Sequence, residues 1–291
     1  MFKRRNFIAG AAVVAAMAAA GPTLAQSEAF DLVEDGHMTV AFTGDMPGSG
    51  WQDGRLIGYD GEIMQRISER LGLEVAPALM EWSGTIASVQ AGRVDVMLGT
   101  MGWTEQRTQI MTLSEPIHYF RNGIMQSVDT DWDSLADLEG RTVGTITGFS
   151  FVPELRAIPG LELNLYDTSD AAVRDLLAGR IEAVIGDPPV IGYAISQNPD
   201  WGMQFLAFTD NNPDFPLLTG LGQTVFGFNQ ADDDLRQAVD EIILEMWSSC
   251  EMAEIGARYG LVGDVWYSAN GENFRAGVDR PEDYDLPECS S

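Results

Sequence analysis

Two short segments carry side chains whose types could bind a small molecule. Gly99-Thr-Met-Gly-Trp-Thr-Glu-Gln-Arg107 places an arginine after a predicted strand and loop, and Gly186-Asp-Pro-Pro189 places an aspartate after a later one. A planar guanidinium binds a carboxylate through two parallel hydrogen bonds, and a carboxylate binds an ammonium. One of each, on two lobes that face a common cleft, is what recognition of a free amino acid would require.

The hydrophobic pattern predicts two successive α/β units that would position these segments. Each unit alternates strands with helices, and Ser83 and Ser169 are predicted to cap helices. The predicted strands cover 38–42, 73–79 and 94–98 in the first unit and 142–145, 161–166 and 181–185 in the second. Two further strands, near Ile124 and Val225, bracket the second unit. If both cross between the lobes, they form a hinge that allows closure around a ligand.

The N-terminus has the pattern of an export signal. Lys3-Arg4-Arg5 precedes an apolar run at 7–20, and Thr23-Leu24-Ala25 fits a cleavage site, so we predict a signal peptide at 1–25. Arg4-Arg5-Asn6-Phe7-Ile8 also resembles a twin-arginine signal, which leaves Sec and twin-arginine export open. Either route leads to the periplasm, and no second apolar run predicts a membrane span.

Charge and composition exclude several classes of protein. The net charge is −27, and without the three basic residues of the signal 14 basic residues face 44 acidic ones. Such a chain repels nucleic acid and anionic lipid, although it could steer a cationic ligand. Two histidines and two cysteines offer no metal-binding cluster, so we expect no metal and no other cofactor. Export and an even count predict a disulfide between Cys250 and Cys289.

An ordered series of motifs resembles the periplasmic amino-acid-binding proteins of ABC importers, which are the bacterial extracellular solute-binding proteins of family 3. The resemblance covers residues 38–261. It is carried by Gly58-Tyr-Asp60, Trp82-Ser-Gly-Thr-Ile86, Ala91-Gly-Arg-Val-Asp95, Thr104-Glu-Gln-Arg107, Ser134-Leu-Ala-Asp-Leu-Glu-Gly-Arg-Thr-Val-Gly144 and Ala178-Gly-Arg-Ile-Glu-Ala-Val184.

The resemblance implies a two-lobed α/β fold of the type II periplasmic-binding-protein class, with a two-strand hinge. We predict lobe 1 at 26–125 and 224–291, including a C-terminal tail at 262–291, and lobe 2 at 126–223. It further implies a monomer that performs no chemistry. Such a protein captures an amino acid or related small carboxylate and delivers it to an inner-membrane ABC permease.

The resemblance also assigns roles to particular residues. Arg107 would bind the ligand carboxylate, and Asp187 would bind its ammonium. Ser150, at the start of a predicted helix, would donate to the carboxylate with help from the helix dipole. Trp82 would form an apolar wall, and Thr100 matches a polar position beside the ligand.

The chain departs from the family pattern at several positions. Gly102 stands where Thr or Ser is usual, and Trp103 stands where a small or aliphatic residue is usual. Phe149 stands where Thr is common, so Trp103 and Phe149 are two additional rings that could enter the cleft. Asp45 belongs to a loop that replaces the family's first aromatic run, and it is either a turn former or a selector of a cationic side chain. The tail beyond Leu261 has no family counterpart.

Two other functions remain open at this point. An exported enzyme of the cyclohexadienyl dehydratase kind has the same scaffold, but it would need a cleft acid that protonates a leaving hydroxyl. A sensory or accessory binding protein would use the same cleft. The sequence does not name the ligand, because the shape of the cleft determines which side chain fits.

Overall fold

The architecture consists of two five-stranded sheets joined by a pair of crossing strands. The computed structural model describes residues 30–269 and 273–289, so the predicted signal peptide lies outside the described residues. The strands are β1 (His37–Phe42), β2 (Gly50–Gln52), β3 (Arg55–Ile57), β4 (Glu74–Leu79), β5 (Val96–Met97), β6 (Thr112–Leu113), β7 (His118–Arg121), β8 (Gly123–Ser127), β9 (Thr142–Ile146), β10 (Glu162–Tyr166), β11 (Ala183–Ile185), β12 (Met203–Ala207), β13 (Leu221–Thr224) and β14 (Gly227–Phe228).

Helices lie between most of these strands and cover the sheets. They are α1 (Tyr59–Arg70), α2 (Trp82–Gln90), α3 (Glu105–Thr108), α4 (Val152–Ala157), α5 (Ser169–Leu177), α6 (Pro188–Gln197), α7 (Pro216–Thr219), α8 (Asp233–Ser248) and α9 (Glu251–Arg258). Short 3-10 helices lie at Ala136–Leu138, Pro199–Trp201 and Asp264–Trp266. Within the described ranges, no helix is long and apolar enough to cross a membrane.

The first sheet has the order β4-β1-β5-β14-β6, and the second has the order β10-β9-β11-β8-β12. In each sheet three neighbouring strands are parallel, β4-β1-β5 and β10-β9-β11. The strands added on the far side, β14 and β6 in one sheet and β8 and β12 in the other, are antiparallel to their neighbours. We call each sheet with its packed helices a lobe, first and second in this order.

The chain passes between the sheets through β7 and returns through β13, and these two strands pair antiparallel. Gly222 lies opposite Phe120 in this pair. A Cβ atom on Gly222 would come within 2.3 Å of Phe120 Cζ, so the ring occupies the space that any larger residue would need. The strand predicted near Val225 is two strands, because the chain leaves β13 for the first sheet before β14 begins.

The predicted helix caps at Ser83 and Ser169 are both wrong by one or two residues. Helix α2 begins at Trp82, after an N-cap at Glu81 whose side chain makes no capping bond. Helix α5 begins at Ser169, and the side chain of Thr168 accepts from the N–H of Ala171. In both places a serine that could cap a helix lies within two residues of the actual N-cap. The local sequence pattern does not determine which of these neighbouring residues is the N-cap.

The C-terminal segment returns to the first lobe. Cys289 is bonded to Cys250, at the N-cap of α9, with the two Cα atoms 5.3 Å apart. Arg275 is fully buried, and its Nη1 donates to the carbonyl of Ser114 at 2.8 Å. Tyr119, in the crossing strand β7, donates its hydroxyl to the carbonyl of Pro287 at 2.7 Å. The segment is therefore packed onto the first lobe, although its described residues 273–289 contain turns and no regular helix or strand.

Candidate functional site

One cavity of about 280 Å³ brings the predicted binding residues together. Its wall includes residues of both sheets' loops and of the crossing strands. All seven predicted residues line it: Trp82, Thr100, Trp103, Arg107, Phe149, Ser150 and Asp187. That any of these residues contacts a ligand stays a prediction. A shared ligand site requires that they line the same space, and they do.

Arg107 is held by the short helix α3, which begins after Thr104. The Thr104 side chain accepts from the backbone N–H of Arg107 at 3.1 Å, which fixes the start of the helix. The side chain of Arg107 is 8% exposed, and its Nη1 donates to the carbonyl of Gly102. Burial lowers the pKa of Arg107 to about 10, and nearby Asp187 acts in the opposite direction. The guanidinium stays charged at neutral pH.

Arg107 has no carboxylate within ion-pair distance among the described residues. Its Cζ atom lies 5.4 Å from the centre of the Trp82 ring, which gives the cation one favourable face. The guanidinium is therefore not neutralised by an ion pair with any residue that the structure describes. A buried guanidinium that lines a cavity is suited to bind an anion.

Asp187 occupies the N-cap position of α6 without acting as a cap. Its side chain makes no capping hydrogen bond, and Pro188 and Pro189 in the first turn have no N–H to offer. The carboxylate is therefore available to the cavity. Desolvation in the cleft raises the pKa of Asp187 to about 8. A hydrogen bond from the Thr100 side chain and the charge of Arg107 oppose the shift, whereas the carboxylates of Asp45 and Asp60 add to it. A cation in the cavity would favour the ionised form.

Thr100 is placed by a buried carboxylate that the sequence had not assigned to the site. The backbone N–H of Thr100 donates to Asp60 Oδ2 at 2.6 Å, and Asp60 is almost fully buried at the start of α1. Thr100 has φ near 52°, a left-handed conformation that is unusual for a β-branched residue. Asp60 therefore helps to hold a strained loop against the cavity. Burial raises the pKa of Asp60 to about 7.

Aromatic rings from both lobes meet at the cavity. The rings of Trp82 and Phe149 lie edge to face with centres 6.3 Å apart, and Phe149 packs in the same way on Phe151 at 5.5 Å. The Nε1 of Trp82 reaches the carbonyl of Gly148 at 3.4 Å. Trp103 also lines the cavity, and its backbone N–H donates to Gln223 in β13 at 2.7 Å. Both additional rings predicted for the cleft, Trp103 and Phe149, thus lie there.

Ser150 lines the cavity but is not at the start of a helix. Helix α4 begins at Val152, its N-cap is Phe151, and it has six residues. The Pro153 ring removes one of the N–H groups that a helix start would offer. Any contribution of Ser150 to anion binding therefore comes from its hydroxyl and its turn, with little help from a helix dipole.

A smaller cavity of about 80 Å³ adjoins the first and shares Trp82, Gly99, Phe149 and Asp187 with it. Its remaining wall is acidic, with Asp45, Glu81 and Asp167. Burial raises the pKa of Asp45, and Glu81 adds to the shift. Of these two cavities, Arg107 lines only the first, Asp187 lines both, and Asp45, Glu81 and Asp167 line only the second.

Several cavity residues were missed by the sequence analysis. They include Phe120, Asn122 and Gln223 from the crossing strands and their neighbours, and Phe274 from the C-terminal segment. A hinge strand was predicted close to the first three, which is a usable signal, whereas nothing in the sequence marks Phe274. Among the residues that the structure describes, no group of three or more His, Cys, Asp or Glu side chains could hold a metal ion.

The two lobes, the crossing strands and a cavity between them define a solute-binding protein of two α/β lobes. The family model for bacterial extracellular solute-binding proteins, family 3, matches residues 38–262. The chain belongs to this family, as its motifs indicated.

Relatives and solved structures agree with this assignment. The chain is 24% identical to a probable amino-acid-binding protein, YxeM, of Bacillus subtilis (strain 168), over 88% of this chain and 95% of that protein. It is 27% identical to the L-cystine-binding protein TcyJ of Escherichia coli (strain K12), over 73% and 78%. The structure is similar to an amino acid ABC transporter substrate-binding protein from Streptococcus pneumoniae bound to L-arginine. The TM-score is 0.69 and the identity 22%, over 78% of this chain and 95% of that one.

Proposed function

We propose that this protein is the substrate-binding component of an ABC importer and captures an amino acid between its lobes. The observation that carries the proposal is that Arg107 and Asp187, which have opposite charges, both line one cavity. The guanidinium binds the ligand's carboxylate, and the Asp187 carboxylate binds its ammonium. Thr100 and Ser150 supply further hydrogen bonds, and Trp82 covers the apolar part of the ligand.

The acidic neighbouring cavity points to a ligand with a second cationic group. Asp45, Glu81 and Asp167 line a space that continues from Asp187, away from Arg107. A side chain that carries a positive charge would lie among these carboxylates and would lower their mutual repulsion. Among the relatives, names include cystine- and histidine-binding proteins, and a solved neighbour holds L-arginine. We therefore rank cationic amino acids first.

The proposal includes export to the periplasm, delivery to a membrane permease, a monomeric state and no catalysis. The relatives named above are binding proteins, which supports the last point. The raised pKa of Asp187 would suit a general acid, but an ammonium ligand provides a sufficient role for this carboxylate. Turnover of prephenate or arogenate, followed by absorbance, would contradict the proposal and favour the dehydratase alternative.

A thermal-shift panel tests the ligand class. The purified chain is heated with each of the twenty L-amino acids and with nitrogen-free acids of matched shape, such as 4-methyl-2-oxopentanoate for leucine. A ligand that binds only the native state raises the melting temperature, by an amount that grows with its concentration. We expect cationic amino acids to give the largest shifts. Stabilisation by the nitrogen-free acids alone would mean that Asp187 does not bind an ammonium.

A further inference from the structure

The chain continues past the end of the family match, and this extension reaches the ligand cavity. The match ends at residue 262, yet Phe274 lines the cavity of about 280 Å³ together with Ser150 and Leu217 from the second lobe. Phe274 is 38% exposed, so part of its ring is accessible to a ligand in this cavity. The extension therefore supplies part of the cavity wall.

The same segment fixes a second ring of the cavity. The Nε1 of Trp103 donates to Asp279 Oδ2 at 3.0 Å. Arg275 binds the Asp279 carboxylate through two nitrogens, Nε at 3.1 Å and Nη2 at 2.7 Å. The guanidinium carbon of Arg275 also lies 5.8 Å from the centre of the Trp103 ring. The indole is thus held at its N–H and over its face by residues of the extension.

The extension is anchored firmly enough to serve as a wall. Arg280 Nε binds Glu115 at 2.6 Å, and Arg280 Nη2 binds Asp240 in α8 at 3.2 Å. Tyr284 donates its hydroxyl to Glu115. The disulfide to Cys250 secures the far end. Because these charges are buried and paired, displacement of the segment would leave several of them without partners.

We propose that the segment 273–279, through Phe274 and Asp279, forms a specificity-determining wall of the ligand site. Phe274 contacts the ligand directly, and Asp279 is a positioning residue that acts through Trp103. This inference rests on the proposed function of the cleft, because it concerns which ligands that cleft accepts. The wall adjoins the Arg107 end of the cavity, because Asp279 binds Trp103 and the preceding residue, Gly102, accepts from Arg107 and lies against the Phe120 ring. It limits the size and polarity of whatever ligand group lies at that end.

The direct contact is tested by resizing Phe274. Dissociation constants are measured by calorimetry for every probe of the thermal-shift panel that stabilises the wild type. Phe274→Ala should favour the bulkier probes and change at least one ratio of dissociation constants by about tenfold. Phe274→Trp should change the ranking in the opposite direction. Val278→Ala is the matched control, since Val278 is an apolar residue of the same segment that is 46% exposed and is not part of the cavity wall.

The positioning role is tested by breaking the indole hydrogen bond from each side. Asp279→Ala removes the acceptor, and Trp103→Phe removes the donor while leaving the Arg275–Asp279 pair intact. Both should change the ranking of probes, and the double variant should add little to either. Asp279→Asn keeps an acceptor oxygen and should restore the wild-type ranking. If Asp279→Ala lowers the melting temperature without changing the ranking, the role of Asp279 is merely structural.

The results that would contradict the specificity proposal differ from those that would contradict the proposed function. If the wild type binds amino acids and both Phe274 variants keep its ranking within about twofold, the wall proposal is wrong and the proposed function stands. If only nitrogen-free acids bind, the ammonium role of Asp187 is wrong, and the same comparison of variants is made with those acids. A panel in which no probe stabilises the wild type would contradict both proposals.

Discussion

At the scale of single residues, the site depends on two charges that the protein leaves available to the cavity. Arg107 and Asp187 both follow strands, and neither forms an ion pair with another residue that the structure describes. The Arg107 guanidinium donates to the carbonyl of Gly102. The prolines after Asp187 offer no backbone N–H to its carboxylate, which receives a hydrogen bond from the Thr100 side chain. Each charge is desolvated by its surroundings, so a ligand that carries the opposite charge gains most from binding there.

The first prediction concerns Arg107. Arg107→Ala should weaken binding of the preferred amino acid by about 3 kcal/mol or more, because the ligand carboxylate would be buried without a partner. Arg107→Lys should also bind poorly, since a single ammonium does not replace the planar fork. Calorimetry measures both. If the dissociation constant of Arg107→Ala stays within about threefold of the wild-type value, a difference under 1 kcal/mol, Arg107 does not bind the ligand carboxylate.

The second prediction uses the pKa of about 8 for Asp187. Below this pH the carboxyl is mostly protonated, and a bound ammonium would lower its pKa, so binding at pH 7 should release close to one proton. Affinity should therefore rise with pH, by about ninefold from pH 6 to pH 7 and by about fivefold from pH 7 to pH 8, where the free carboxyl is already half ionised. Calorimetry in two buffers of different ionisation enthalpy measures the release. Asp187→Asn should abolish it, weaken amino-acid binding and leave nitrogen-free acids nearly unaffected.

At the scale of elements, the crossing strands and the C-terminal segment determine how the lobes are held. Strands β7 and β13 connect the sheets and also contribute Phe120 and Gln223 to the cavity. The segment that ends at Cys289 packs on the same region, because Tyr119 of β7 bonds to Pro287. The predicted lobe boundaries, at 125/126 and 223/224, fall near these strands and remain a prediction.

The third prediction concerns the crossing strands. Gly222→Ala should force the Phe120 ring out of its position, which costs roughly 1–3 kcal/mol of stability, and should weaken ligand binding as well. Chemical denaturation and calorimetry measure the two effects. Gly192→Ala is the control, because no atom lies within 4 Å of a Cβ added there and Ala favours the helix α6. If Gly222→Ala and Gly192→Ala have the same stability and the same ligand affinity, a Cβ atom at position 222 does not displace the Phe120 ring.

The fourth prediction concerns Cys250 and Cys289. Intact protein exported to the periplasm should gain the mass of two hydrogens on reduction. The bond closes a loop with a sequence separation of 39, so replacing both cysteines by serine should cost about 3–4 kcal/mol of unfolding free energy. Quantitative labelling of both thiols in the untreated exported protein would contradict this pairing.

At the scale of the whole molecule, the dominant feature is negative charge. The chain carries a net charge of −27, and its single lysine lies in the predicted signal peptide. Mutual repulsion among so many carboxylates opposes the compact state, and the same field attracts cations to the cleft. Both effects are screened by salt, because the Debye length falls to about 10 Å at 0.1 M ionic strength.

The fifth prediction follows from this screening. Raising NaCl from about 10 mM to about 500 mM should raise the melting temperature and slow the association of L-arginine, if L-arginine is among the ligands. A neutral amino acid ligand should show no comparable change in its association rate, which makes it the control in stopped-flow fluorescence. A melting temperature that falls with salt would mean that attractive ion pairs outweigh the repulsion.

The sequence by itself determined the alternation of strands and helices, since burial of one face imposes a period that can be counted. It also determined that Arg107 and Asp187 come after strands, and it listed Trp82, Thr100, Trp103, Phe149 and Ser150, all of which line one cavity. These residues could be found because they belong to ordered local motifs. The helix starts at Ser83 and Ser169 were misplaced, because neighbouring polar residues compete as caps and packing decides between them.

Contacts between residues that are distant in the sequence could be identified only from the tertiary structure. Three features join segments that are far apart in sequence: the hydrogen bond from Thr100 to Asp60, the cavity lined by Asp45, Glu81 and Asp167, and the C-terminal segment, which brings Phe274 to the main cavity and Asp279 to Trp103. No local pattern encodes such contacts, because each residue taken alone has an ordinary role in a turn, a surface or a tail. The C-terminal wall exists because buried charge pairs and a disulfide fix the segment's position on the first lobe.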